Sequence, residues 1–309
     1  METAMAFEID ALPDQEGRVA LITGSNTGLG FHNAHDLAAK GAKVVMACRS
    51  EERARGAMER IGAEVPNADL EFLAADLSSL EAVRSAVAEF RANHDSLDLL
   101  INNAGIGIAP YAKTADGFER QMAANYWGHF LLTMSLIDVM PDSAHSRVVA
   151  VSSLAHKQGA KEIRFDDIHW EQKYSSVGAY RQSKLACLMF TLELDHRLRA
   201  AGKSILSVGS HPGVSETELG RSLPKVVKLL TRYVVGPLIS HDPDKASLPT
   251  LLAAIGPDVE GGDYYGPQNK GETRGDPGEA GIHQCAQDEE AATRLWELSV
   301  ELAGADLPF

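Results

Sequence analysis

Tyr180 and Lys184, within Tyr180-Arg181-Gln182-Ser183-Lys184, have the types and the spacing for proton transfer. Residues four apart on a helix share a face, so the ammonium of one sits beside the phenol of the other. A free tyrosine titrates near pH ~10 and is a poor acid or base at neutral pH. Bringing it to neutrality requires roughly 4 kcal/mol of preferential stabilisation of the phenolate. A neighbouring cation is the kind of device that supplies this. Such a pair also arises on ordinary helix surfaces, so its meaning depends on what positions it.

The positioning elements alternate. Arg18–Thr23 is a short aliphatic and β-branched run that breaks into Gly24-Ser-Asn-Thr-Gly28-Leu-Gly30, followed by a helical stretch over 28–40. A buried strand feeding a glycine-rich turn and a helix opens a nucleotide-binding βαβ unit. The glycines let the backbone approach a pyrophosphate, and the helix N-terminus supplies amide donors and a favourable dipole. Gly24, Asn26, Thr27, Gly28, Leu29 and Gly30 are therefore candidate dinucleotide contacts.

The second strand, Lys43–Cys48, ends in Arg49-Ser50, with no carboxylate before Glu51. An acidic residue there would hold a ribose 2′-hydroxyl; an arginine suits a 2′-phosphate, so NADP(H) is expected over NAD(H). A third strand, Leu70–Ala74, leads to Asp76 and Leu77, where Asp76 either meets an adenine edge or caps the helix starting near Ser78. A fourth, Leu97–Ile101, runs into Asn102-Asn103-Ala104-Gly105, a turn that either carries backbone against the cofactor or is purely structural.

A helix is expected over 115–140, carrying Asn125 at an unfavourable mid-helix position. A fifth strand, Arg147–Val151, ends in Ser152-Ser153, and polar side chains at the carboxyl end of a central strand face a ligand crevice. Helix Val177–Ala201 presents Tyr180 and Lys184, and a sixth strand, Ser204–Gly209, precedes His211-Pro212-Gly213-Val214. Leu223–Ile239 is apolar with three interspersed basic residues, which fits a substrate lid, a core helix or a membrane-surface contact. A helix over Asp242–Ile255, a short strand at Gly261–Pro267, a surface loop at Gln268–Gly281 and a helix at Asp288–Ala303 complete the chain.

The fold class is α/β: one doubly wound Rossmann-type domain over 1–309, with a parallel sheet of about seven strands and helices on both faces. Residues 1–16 read as an N-terminal extension and about 214–240 as a lid region. A chain of 309 residues, 44% hydrophobic, buries a substantial core. The net charge of −14 argues against nucleic acid, which needs a basic footprint. Three scattered cysteines provide no disulfide framework and no metal-ligand spacing. The acidic N-terminus lacks a secretory pattern and no run is long enough for an integral membrane segment, so the cytoplasm is the expected compartment.

Taken in order, Thr23-Gly24-x-x-x-Gly28-x-Gly30, Asn102-Asn103-Ala104-Gly105, Asn125, Ser153, Tyr180-x-x-x-Lys184 and Pro212-Gly213 resemble the short-chain dehydrogenase/reductase family. Ala47-Cys48-Arg49, Val151–His156, Ala179–Lys184 and His211–Val214 are most similar to its retinol dehydrogenase–like branch. The resemblance implies an NADP-dependent oxidoreductase interconverting an alcohol and a carbonyl on a small lipophilic substrate. Tyr180 would be the general acid or base, and Lys184 would lower its pKa and bond the nicotinamide ribose. Ser153, rather than Ser152, would position the substrate, and Asn125 would hold a relay water. Pro212, Gly213 and Val214 would flank the nicotinamide, with Thr217 nearby.

Ser153 and Tyr180 stand 27 positions apart, more than in most of the family but as in that branch. Reduction of an activated C=C bond with the same tyrosine, and a non-catalytic NADP-binding sensor or interaction protein, are the competing readings. A homodimer is left open.

Overall fold

The strands form where the chain is most continuously aliphatic, and they are buried because helices cover both faces of the sheet they build. In this computed structural model residues 7–157, 162–214 and 242–309 are described. Thr217 and the Leu223–Ile239 segment lie outside them. β1 (Val19–Thr23), β2 (Lys43–Cys48), β3 (Leu70–Ala74), β4 (Leu99–Asn102), β5 (Arg147–Val151), β6 (Leu206–Ser210), β7 (Tyr264–Asn269) and β8 (Arg274–Glu279) join in the order β3-β2-β1-β4-β5-β6-β7-β8. Pairing is parallel up to β7, and only β7–β8 is antiparallel. The order reverses between β1 and β4, which leaves a crevice at their carboxyl ends.

Alternation along each strand divides the core. Leu21, Val45 and Leu100 face one side, against Phe90, Trp127, Phe130 and Phe190. Ala20, Ile22, Val44 and Ile101 face the other, against Phe31, Leu37, Leu251 and Ile255. The first side is covered by α3 (Leu80–Asn93), α5 (Gly128–Leu136), α6 (Ser176–Ala200) and α8 (Glu289–Ala303), the second by α1 (Gly28–Ala39) and α7 (Pro243–Ile255). α2 (Glu51–Glu64) flanks the β2–β3 edge.

Two expected elements are revised. The helix expected over 115–140 starts later, as α4 (Arg120–Met122), passes through a π turn (Ala123–Trp127) and continues into α5. Glu119 sets its start, accepting from the Met122 amide at 2.8 Å. The expected loop Gln268–Gly281 is largely strand: β7 runs to Asn269 and pairs with β8, which makes eight strands. Its glycines, prolines and charges are depleted in central strands but tolerated at an edge. Pro267 pairs with Pro277 beyond the last β6–β7 partners, Ser210 and Tyr265, so its missing amide leaves no central bond unmade. Among the described residues no helix is long and apolar enough to cross a membrane.

Candidate active site

The turn after β1 is held by a hydroxyl. Thr23 Oγ1 accepts from the backbone amides of Asn103 (3.0 Å) and Ala104 (2.9 Å), which fills both of its lone pairs. Its proton then goes to the nearer remaining acceptor, His129 Nε2 at 2.8 Å, which leaves the imidazole proton on Nδ1 to donate to Asn125 O at 2.9 Å. Burial pulls the His129 pKa down to about 4, so the ring stays neutral. One buried histidine thus connects the glycine turn to the π turn. The Asn103 side chain locks the same turn by donating to Thr23 O at 2.7 Å. Gly30 is packed so closely that a Cβ would overlap the Asn103 amide nitrogen and stand 2.7 Å from Gly24 O.

A cleft of about 470 Å³ runs from this turn along the carboxyl edge of the sheet. Gly24, Asn26, Thr27, Gly28 and Leu29 line it, as do Asn103, Ala104, Gly105, Tyr180 and Lys184. Arg49, Asp76 and Leu77 line it as well. Arg49 is exposed, and Arg53, one helical turn on, joins it. Sequence reasoning missed Arg53, because a first-turn arginine spaced four from Arg49 reads equally well as helix surface. Among the described residues neither guanidinium has a carboxylate partner, whereas the neighbouring Arg55 pairs with Glu51 at 2.6 Å. Asp76 accepts from the Ser78 amide (2.9 Å) and hydroxyl (2.6 Å), and the cap of α3 itself is Ser79.

At the other end, Tyr180 and Lys184 stand one turn apart near the start of α6, whose Ser175 cap accepts from the Gly178 amide at 3.1 Å. Lys184 is 1% exposed, and its ammonium donates to Val151 O at 2.9 Å. Its other two donors have no protein partner among the described residues, and the side chain borders the cleft. Asn125 is buried in the π turn: its Oδ1 accepts from the Ile106 amide (2.8 Å), while Nδ2 donates to Ile106 O (3.1 Å) and Ser183 Oγ (2.8 Å). A Cβ on Gly105 would lie 3.3 Å from Asn125 Oδ1 and 3.4 Å from Lys184 Nζ, so the glycine leaves open the space between them.

Ser152 is spent structurally, its buried hydroxyl donating to Lys184 O at 2.7 Å. Among the described residues the Ser153 hydroxyl only accepts a local bond from the Ala155 amide at 3.2 Å and donates to none. Ser153 and Asn125 are not among the residues that line the cleft. The turn after β6 is bent at Gly213 (φ +73°) and fixed by the Val214 amide donating to Thr273 O at 2.9 Å. Pro212, Gly213 and Val214 do not line the cleft. Ile106, Ala109 and Arg120 line it without having been anticipated. No cluster of metal-ligating side chains occurs among the described residues.

A mostly parallel sheet with a glycine turn at its switch point defines a dinucleotide-binding fold. The family model described as "short chain dehydrogenase" matches residues 18–165. Human retinol dehydrogenase 13 is 38% identical over 94% of this chain and 86% of its own length. Mouse polyprenol dehydrogenase is 37% identical over 97% and 88%. The solved structure of an uncharacterised protein from Mycobacterium paratuberculosis superimposes with a TM-score of 0.80 at 36% identity, covering 98% of this chain and 100% of that one. The chain belongs to the short-chain dehydrogenase/reductase family and is most like its retinol dehydrogenase branch. It is an oxidoreductase of a family that binds a nicotinamide cofactor.

Proposed function

We propose that the protein is an NADP(H)-dependent oxidoreductase that interconverts an alcohol and a carbonyl on a small lipophilic substrate, with Tyr180 as general acid and base. The observation that carries this reading is one cleft with Arg49 and Arg53, which have no carboxylate partner among the described residues, at one end and Tyr180 beside buried Lys184 at the other. The residues fit such a cofactor. Gly24, Gly28 and the α1 N-terminus form the pyrophosphate cradle. The two arginines suit a 2′-phosphate, which a planar guanidinium can bond in bidentate fashion. Asp76 and Leu77 border the adenine end.

When bound, a nicotinamide supplies or accepts the hydride. The chain handles the proton. In the reducing direction the Tyr180 hydroxyl protonates the carbonyl oxygen, and in oxidation the phenolate takes the alcohol proton back. Lys184 favours the phenolate electrostatically, and its two spare donors are available to the cofactor ribose. Ser153 offers its hydroxyl proton to the substrate oxygen. Asn125 Oδ1 faces the space above Gly105 opposite Lys184 Nζ, a suitable place for a relay water. Pro212, Gly213 and Val214 flank the nicotinamide. The lipophilic substrate class is supported by relatives named for retinol and polyprenol, both lipophilic alcohols.

The test is a panel of aldehydes of graded apolar length, all-trans-retinaldehyde included, followed by NADPH absorbance with wild type and Tyr180→Phe. Turnover should fall by on the order of a hundredfold or more in the variant, with NADPH affinity retained. Equal turnover by the two proteins would remove Tyr180 from the mechanism.

A further inference from the structure

The connection between β7 and β8 holds Lys270, Gly271 and Glu272 in succession in the left-handed region, at φ 50°, 67° and 62°. Residues with side chains avoid that region unless their surroundings over-determine it, and such positions cluster at functional sites. At Glu272 the determinant is the carboxylate. Oε2 receives the Lys157 ammonium at 2.6 Å and lies 3.3 Å from His211 Nε2, while Oε1 accepts from the Gly281 amide at 3.1 Å.

Each partner leads to a different part of the site. Lys157 ends the single turn Leu154–Lys157 that begins one residue after Ser153. The same turn is anchored by His156, whose ring donates to Ser153 O at 2.6 Å. His211 is fully buried, and its Nδ1 accepts from the Gly213 amide at 3.1 Å, so its ring proton is on Nε2, toward the carboxylate. The residue after Glu272 completes the clamp, since Thr273 O accepts from the Val214 amide at 2.9 Å. A Cβ on Gly213 would overlap that carbonyl and come within 2.9 Å of Pro267 Cγ. Tyr264 wedges its ring between His156 and His211, with centroids 5.5 and 5.1 Å away. The loop carrying Ser153 and the turn carrying Gly213 both lie past their strand ends, beyond the reach of the sheet ladder. One side chain from a neighbouring hairpin joins them.

We propose that Glu272 is a positioning residue for the nicotinamide end of the site, setting the distance between the Ser153 loop and the Pro212–Val214 turn. The assignment rests on the proposed function for its reading of those two segments as the walls beside the nicotinamide. It goes beyond that reading by placing their control on the β7–β8 connection, whose residues do not line the cleft.

The experiment uses the full chain with Glu272→Gln, which keeps size and removes charge, and with Lys157→Met, each alone and combined. NADPH is titrated for affinity, and the emission maximum and anisotropy of the bound nicotinamide are read at saturation. Exchange of the Val214 amide is followed in the nucleotide-free proteins. Both single variants should retain NADPH affinity, which the phosphate contacts dominate, while nicotinamide emission moves toward that of free NADPH. Val214 should exchange faster, and the double variant should be no worse than the more affected single. Wild-type emission and exchange in Glu272→Gln overturn the proposal, as does strict additivity of the two substitutions. Affinity and thermal stability falling together with emission unchanged would reduce Glu272 to a fold-stabilising residue. A wild-type chain that binds no nicotinamide nucleotide overturns the functional reading and this proposal together.

Discussion

Two exposed guanidinium groups at one end of the cleft carry the proposed preference for NADP(H). Arg49 leaves β2 at the edge of the cleft and Arg53 follows one turn into α2, with Ser50 between them as the helix cap. Arg49 lines the cleft and was singled out from sequence because a residue just beyond β2 can reach a ribose. Arg53 was not, since a first-turn arginine reads equally well as solvated helix surface, the role Arg55 takes by pairing with Glu51. A hydrogen bond to a charged group contributes about 1.5–3 kcal/mol, so removing one arginine should weaken NADPH binding by roughly ten- to a hundredfold. Arg49→Glu and Arg53→Glu are each expected to do so while leaving NADH affinity unchanged, as read by fluorescence titration. Equal losses for both nucleotides would mean that the arginines hold the fold and not the phosphate.

The strands, the glycine turn and α6 could be read from sequence because each rests on a local signal: an aliphatic run, a glycine spacing or a four-residue helical spacing. Two elements could not. At the π turn the Asn125 carbonyl accepts locally from the His129 ring and across to α6 from the Cys187 thiol at 3.2 Å, and no periodicity displays the second contact. The β7–β8 hairpin forms despite its composition, because β7 offers an edge.

Gly30→Ala tests the glycine turn, where a methyl group must displace Gly24 O or the Asn103 amide. Overpacking of this kind costs about 1–3 kcal/mol, and dinucleotide affinity should fall with stability. Intact affinity would show that the turn tolerates expansion.

The His129 link makes a further prediction at this scale. Its native pKa of about 4 lies below the ordinary value of 6.5, so the unfolded chain takes up the proton first as pH falls. Stability is therefore lost between those two values, at up to about 1.4 kcal/mol per pH unit for this residue. His156, also pulled down to about 4 by burial, acts in the same direction and window. Urea unfolding across that range should show a slope reduced by one proton's worth in His129→Gln, and an unchanged slope would refute the neutral, buried ring.

For the molecule as a whole, the net charge of −14 repels a polyanionic dinucleotide at long range, so binding must come from a few local donors. These are concentrated where the sheet order reverses, between β1 and β4, and they come from α1, the end of β2, the turn after β4 and α6. Loops from opposite sides of the switch point line one cleft, so a ligand held there would be coupled to global folding. A ligand bound only by the native state stabilises it by RT ln(1 + [L]/Kd), about 2.7 kcal/mol at a hundredfold excess over Kd. In a chain of this size that raises Tm by roughly 2–4 °C per kcal/mol. Thermal unfolding at equal concentrations of NADPH and NADH should therefore show a shift of several degrees for the first and a smaller one for the second. Arg49→Glu should abolish the difference by lowering only the NADPH shift. If both nucleotides raise Tm equally in the wild type, the arginine pair does not select the 2′-phosphate. If neither raises it, the cleft does not bind a nicotinamide dinucleotide at those concentrations.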